Sequence, residues 1–303
     1  MKKYLTLLLI FSFSILSASN KHFYIIYRTP PGSGFWSNFF VILNGFDVAD
    51  SHNWIPIVDM ERYATLYKEK MPINNTSNAW EYYFEQYQGN SLKKVYKSHY
   101  STNGGNGVFS TASTIKPPPH KITRARELIN KYIKIKETIR NEIDSIIPEG
   151  IYFNILGVHV RGTDRRQGTH SNHLMTAEAN TYLEKAIELD SLYQFSHIFL
   201  ACDELETVDM FKNTFKERLI VTDAFRVSAN VATNINYNWL FNAKRTNHRY
   251  LLGKEVLIDA LLLARCGHLL CGPSNVSHAA IYFSKGDQEI HEVDPTGMSE
   301  GKK

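Results

Sequence analysis

A chain of 303 residues with 43% hydrophobic and 21% charged residues has a globular composition and is longer than one ordinary domain. Two α/β lobes or one large one are the starting options, and a disordered chain is excluded. The net charge of +4 comes with no long Lys/Arg run and no basic stripe interleaved with aromatics, so nucleic acid is not indicated as a partner. Cys202, Cys266 and Cys271 are too few for a disulfide scaffold, lack zinc-like spacing and read as small buried residues.

The chain opens MKKYLTLLLIFSFSILSASN, two lysines followed by an apolar stretch and small residues. Residues 1–20 therefore read as a secretory signal peptide or an uncleaved N-terminal anchor, being shorter than the roughly 20 apolar residues of a spanning helix. The expectation is a protein of the secretory pathway or an exported one, with membrane association only through that segment. Sequons stand at Asn74, Asn75 and Asn275.

Next, HFYIIYR predicts a first strand, TPPGSG a glycine turn, and FWSNFFVILNGFDVAD a helix, which together open a βαβ unit. IPIVDM predicts the next parallel strand, ERYATLYKEK has helical spacing, and NAWEYYFEQ is a short aromatic segment. Residues 89–119, with STNGGNG and a triple proline, predict a long loop. From Thr123 to Ile147 the isoleucine and leucine spacing predicts one long helix. The second half alternates more cleanly: strands IYFNILGVHV, HIFLACD, RLIVTD, HLLCG and QEIHEVD, with helices TAEANTYLEKAIELD, ELETVDMFKNTF, KEVLIDALLLAR and SNVSHAAIYF between them. The predicted fold class is α/β with two Rossmann-like lobes, each with a parallel sheet. The boundaries are an N-terminal lobe over 21–120, a connecting helix over 121–151 and a C-terminal lobe over 152–303.

An apolar strand that ends in GVHVRGTD delivers His159, Arg161 and Asp164 to its carboxyl end, which is where open α/β sheets bind ligands. Arg161 suits a pair of phosphate oxygens, with a charge that does not titrate away. Two further strand ends converge there if the topology is right: Asp203 with Glu204, and the GPSNVS run carrying Ser274 and Asn275. The latter opens a helix whose amides can receive a phosphate, or Ser274 and Asn275 are simply its cap. Asp203 and Glu204 bind a nucleotide or cap the helix after them. No Asp-x-Asp, His-Glu-x-x-His, Walker loop, dinucleotide fingerprint or Gly-x-Ser-x-Gly elbow occurs, so phosphate would be held by arginine and amides, without a metal.

GVHVRGTD, HIFLACDE and VLIDALLLARCGHLLCGPSNVSHAA resemble the three ordered motifs of the GDP-fucose transferase superfamily. The resemblance runs from about Gly157 to Phe283 and is nearest to the α-1,6-fucosyltransferases of glycosyltransferase family 23 and the nodulation-factor type. GSGFWSNF and NAWEYYFEQ resemble the N-terminal lobe of that group. The resemblance implies a GT-B-like fold and inverting transfer with no metal or cofactor. It further implies a nucleotide-sugar donor held mainly by the second lobe and a glycan acceptor on the first.

By position, Arg161 would clamp the β-phosphate, His159 would lie beside the phosphates or ribose, and Asp203 with Glu204 would match the acidic pair near the nucleotide. Ser274 and Asn275 would match the small polar residues near the phosphates, and Asp259 the functional acid in the preceding helix, with a plain helix-face role as the other option. Three positions depart from the α-1,6 pattern: Gly162 stands for a second arginine, Glu204 for an aspartate, and His170 near a glutamate base. His170 is the candidate base, with Asp164 and Glu178 as carboxylate competitors. Trp36, Trp80, Tyr82 and Tyr83 read as core packing or as a platform for an acceptor sugar. Transfer from another nucleotide sugar, or an exported non-catalytic carbohydrate- or nucleotide-binding role, are the alternatives.

Overall fold

The structure, a computed structural model, describes residues 22–98, 100–103, 109, 114–147, 154–162, 177–228 and 243–293. Strand β1 (Phe23–Ile26) is followed by helix α1 (Phe35–Ser51) and strand β2 (Ile55–Val58). β1 is apolar on both faces because both are covered. Tyr24 and Ile26 join the main core beside α1, while Phe23 and Ile25 pack with Ile57 and Val95 in a smaller cluster. α1 is apolar almost all round, and Trp36, Phe39, Phe40, Leu43 and Phe46 are all buried. The turn into it is fixed by Asn38, whose Oδ1 accepts from Ser33 N at 2.8 Å and whose Nδ2 donates to Ser33 O at 2.9 Å.

Three expected elements differ. Residues 61–70 form no helix. Instead Asp59 Oδ1 accepts from the amides of Glu61 and Arg62 at 2.9 Å, Leu66 N donates to Pro31 O, and the Tyr67 hydroxyl accepts from Phe35 N, which folds the segment over the β1–α1 loop. The expected loop over 89–119 contains a short helix α2 (Leu92–Val95) and strand β3 (Tyr100–Asn103), which pairs parallel to β1 in a sheet of order β2-β1-β3. Its sequence, YSTN, carries no apolar run, and its strand character comes from the pairing with β1.

The single helix expected from Thr123 to Ile147 is two, α3 (Pro119–Tyr132) and α4 (Glu137–Ile146). Between them Ile133, Lys134, Ile135 and Lys136 alternate with a period of two, and this stretch pairs with the aromatic segment. Glu85 N donates to Lys134 O at 2.8 Å and Lys136 N to Tyr83 O at 2.9 Å.

The second half supplies β4 (Ile155–Val160), α5 (Ala179–Tyr193), β5 (His197–Cys202), α6 (Leu205–Phe215), β6 (Leu219–Ile220), α7 (His248–Arg265), β7 (His268–Cys271), α8 (Asn275–Phe283) and β8 (Glu289–Glu292). The five strands form one parallel sheet of order β6-β5-β4-β7-β8. Leu156, Val158 and Val160 face a core with Tyr182 and Phe211 from α5 and α6, whereas Ile155 belongs to the core that includes α7 and α8.

That second core runs without a break from Tyr24 and α1 to Tyr282. Phe40 meets Tyr282 edge to face, and α3 reaches α8 through Arg126, whose Nη2 donates to Ile281 O at 2.9 Å and Ser284 Oγ at 2.7 Å. The α1–α3 contact is polar at its rim: Asp50 accepts from Arg124, Lys131 and Tyr132, which hold its carboxyl well below the usual range. α7 crosses the first lobe closely. Trp36 Nε1 donates to Val256 O at 3.2 Å and the Tyr83 hydroxyl to Tyr250 O at 3.0 Å. Gly253 makes that approach possible, because a Cβ there would lie 2.1 Å from the Tyr83 hydroxyl. Trp36, Trp80, Tyr82 and Tyr83 are each 1–3% exposed. They are core, and the sugar platform is ruled out for them. All three cysteines are buried and unpaired, and burial pushes the Cys202 and Cys271 thiols up to about 12.

Candidate functional site

From β4 the chain passes to β5 and β6 on one side, then returns to place β7 and β8 on the other. The gap between β4 and β7 is therefore the topological switch point, where the carboxyl ends of parallel strands leave a crevice. His159 is in register with Ala201 of β5 and Cys271 of β7. This brings the three expected strand ends, 159–162, 203–204 and 272–277, to one level.

Arg161 Nη1 lies 3.3 Å from Asp203 Oδ2, and Asp203 Oδ1 accepts from Gly162 N at 3.0 Å. One carboxylate thus fixes both the guanidinium and the turn that carries it. Each side chain of the pair is about one-third exposed, so charge-assisted bonding is available to a ligand without full desolvation of the arginine. Glu204 lies underneath, 2% exposed, and its Oε2 accepts from Thr207 Oγ1 at 3.3 Å. Its carboxyl also fills the space beside Gly162, where a Cβ would lie 2.4 Å from Glu204 Cδ. The two departures from the α-1,6 pattern on these strands therefore touch each other.

On the β7 side, His159 Nδ1 and Ser277 Oγ are 2.9 Å apart, and both residues are buried. Ser274 is the N-cap of α8, with Oγ accepting from Val276 N at 3.2 Å. Asn275 begins the helix, and its Oδ1 is enclosed with no hydrogen-bond partner among the described residues. The crevice is thus bounded by a guanidinium on one side and on the other by a helix N-terminus, which favours negative charge.

Asp259 lies in α7 and is 8% exposed. Its carboxylate accepts from Thr222 Oγ1 at 2.7 Å. Burial pushes its carboxyl up to about 6, against the Thr222 hydrogen bond and nearby Arg226. Arg226 Nη1 in turn donates to Thr222 O at 2.8 Å and Ala224 O at 3.1 Å. Val227 N donates to Asp203 O at 3.1 Å, and Leu205 N to Val227 O at 3.1 Å. A chain of contacts therefore leads from Asp259 through the 222–227 segment to Asp203. His170 and Asp164 lie outside the described residues, and Glu178 is the exposed residue before α5.

Two residues of this site had no named role at the sequence level. Ser277 stands within the GPSNVS run, and its spacing of three from Ser274 could have put both on the same end of a helix. Arg226 gave no signal, being in a stretch without periodicity.

No family profile matches the chain, and no curated protein matches it. Solved structures do. A NodZ α-1,6-fucosyltransferase co-crystallised with GDP is 18% identical, with a TM-score of 0.51 over 86% of this chain and 91% of that one. Fucosyltransferase NodZ from Bradyrhizobium is 17% identical, with a TM-score of 0.52 over 91% of this chain and 96% of that one. A NodZ α-1,6-fucosyltransferase soaked with GDP-fucose is 18% identical, with a TM-score of 0.50 over 87% and 93%. The chain therefore has the GT-B-like fold of these structures over nearly its whole length.

Proposed function

We propose that this protein is a glycosyltransferase of the GDP-fucose transferase superfamily that moves fucose from GDP-fucose to a glycan acceptor, with inversion and without a metal in the transfer step. The observation that carries this reading is the grouping of Arg161, Asp203, His159 and Ser277 with the start of α8 at the β4/β7 switch point. The fold it shares with structures obtained with GDP or GDP-fucose supports the choice of donor.

In such a transfer the acceptor hydroxyl attacks the anomeric carbon as the bond to the diphosphate breaks, and negative charge grows on the leaving β-phosphate. Arg161, already oriented by Asp203, meets that charge without reorganisation, and the α8 N-terminus adds its own partial positive charge. His159 is held by Ser277 beside the phosphates or ribose, and Ser274 and Asn275 present the helix start. Asp259 and Glu204 act by position: Asp259 braces the 222–227 segment, and Glu204 supports the turn at Gly162. His170 takes the acceptor proton. The N-terminal lobe receives the acceptor, and residues 1–20 direct export or tether the chain. Among the described residues no helix is long and apolar enough to cross a membrane.

Titration with GDP, GDP-fucose, GDP-mannose and UDP-sugars tests the donor, and product analysis with glycan acceptors tests transfer. GDP binding with GDP-fucose turnover is expected; absence of GDP binding overturns the reading. Binding without acceptor-dependent transfer leaves a non-catalytic binder. Arg161→Lys keeps charge and loses the bidentate fork, so wild-type activity in that variant removes the clamp.

A further inference from the structure

At the opposite, amino ends of the same sheet, β7 and β8 gather a second group of polar side chains. His268 opens β7 in register with Glu289, which opens β8, and Leu270 is in register with His291. Residues two apart on one strand share a face with their cross-strand partners, so His268, Glu289 and His291 project from the same face. His268 Nδ1 and His291 Nε2 are 3.0 Å apart, and the rings are parallel within 4°. Glu289 Oε2 lies 3.6 Å from His268 Nδ1, and Oε1 lies 3.8 Å from His291 Nε2. A donor atom from each of the three residues falls within one 4.8 Å sphere of separations.

The surroundings hold this geometry in place. The two imidazoles are only 13% and 12% exposed, while Glu289 is half exposed. Tyr193 and Phe195 cover His268 with ring centroids at 4.5 and 4.9 Å, and the Tyr193 hydroxyl donates to Glu289 Oε1 at 2.8 Å.

We propose that His268 Nδ1, His291 Nε2 and the Glu289 carboxylate form a binding site for a divalent transition-metal ion, zinc in the first instance. Two ligands each about 2.1 Å from an ion stand about 3.0 Å apart at a right angle and about 3.4 Å apart at the tetrahedral angle. The two nitrogens already have such a spacing; the carboxylate stands just outside it, with Oε2 3.6 Å from His268 Nδ1 and Oε1 3.8 Å from His291 Nε2, and the half-exposed side chain is free to turn toward the ion. Two imidazoles and one carboxylate suit zinc and its neighbours rather than magnesium or calcium. Tyr193 supplies the outer hydrogen bond that orients the carboxylate. The ion would staple β8, the four-residue edge strand of the sheet, to β7 and to the end of α5. The β7 strand separates it from the crevice by about 10 Å, so it takes no part in sugar transfer.

The test is zinc binding by the purified full chain after chelator treatment, measured by equilibrium dialysis alongside thermal melts with and without zinc. Wild type should bind zinc and melt at a higher temperature with it. His291→Ala and Glu289→Gln should each weaken binding at least about tenfold, since even loss of an outer hydrogen bond to a ligand costs that much, and should lose the zinc-dependent rise in melting temperature. Glu289→Gln changes a half-exposed side chain and leaves the fold in place. No zinc bound by wild type, or variants that bind it as wild type does, overturns the site and leaves a histidine–histidine hydrogen bond.

Discussion

Gly162 and Glu204 compete for one space: a Cβ at position 162 would lie 2.4 Å from Cδ and 2.5 Å from Oε1 of the buried Glu204 carboxyl. In the α-1,6 enzymes that the motif resembles, the first position is an arginine and the second an aspartate. Here the Glu204 carboxylate fills the volume from which a side chain at 162 would start. Gly162→Ala should cost about 1–3 kcal/mol by overpacking. In a Glu204→Ala background the same change should cost at least about 0.5 kcal/mol less, as expected of residues in contact. Urea denaturation of the four proteins measures the coupling; equal costs in both backgrounds refute the contact.

The second prediction separates charge from scaffolding at Asp203. Asp203→Asn keeps an oxygen for Gly162 N and loses the ion pair with Arg161. A partly exposed pair contributes at most about 1 kcal/mol, so stability should hardly move while GDP-fucose turnover falls about tenfold. Arg161→Ala should lose about 100-fold or more with the fold intact. Steady-state rates and melts on the same preparations decide it, and an Asp203→Asn protein with full turnover would remove Asp203 from the positioning of Arg161.

How much of this was legible in the sequence follows from the range of the interactions. The C-terminal sheet could be read because each of its longer strands is buried on both faces and is a continuous apolar run, as HIFLAC and ILGVHV are. The site residues on its strand ends could be named for the same reason. β3 could not, because YSTN is polar and is a strand only through its pairing with β1. The break between α3 and α4 hid inside a plausible helical pattern, since Ile133 and Ile135 fit either period until Phe84 is placed beside them. Glu204 could be named, but its contact with Gly162 is a matter of side-chain volume across two strands. Asp259 gave a position and not a partner: Thr222 lies 37 residues away, at the end of the predicted strand RLIVTD, and only the fold brings it to the helix.

A third prediction concerns the buried pair His159 and Ser277. Removing the Ser277 hydroxyl takes away a 2.9 Å partner of an imidazole that is 5% exposed. Ser277→Ala should destabilise by about 1–3 kcal/mol and weaken GDP binding, because His159 loses part of what orients it. Chemical denaturation and GDP titration check the two effects. Unchanged GDP affinity would restrict the pair to holding β4 against α8.

The last prediction is the pH dependence set by Asp259. Burial raises its native carboxyl to about 6, above the value of about 4 that a carboxylate has in an unfolded chain. Between those values the folded protein binds more protons than the unfolded one, so stability falls as pH rises. The contribution is fully present below about pH 4 and lost as pH passes through about 6; it amounts to about 3 kcal/mol at most. Asp259→Asn keeps an oxygen for Thr222 and cannot titrate, so its unfolding free energy should vary less with pH over that window than that of wild type. If Asp259 acts by bracing the 222–227 segment, the asparagine variant keeps most of the transfer activity, while Asp259→Ala, with no acceptor for Thr222, loses it. An asparagine variant that is folded and binds GDP but transfers nothing would assign the chemistry to the carboxylate itself.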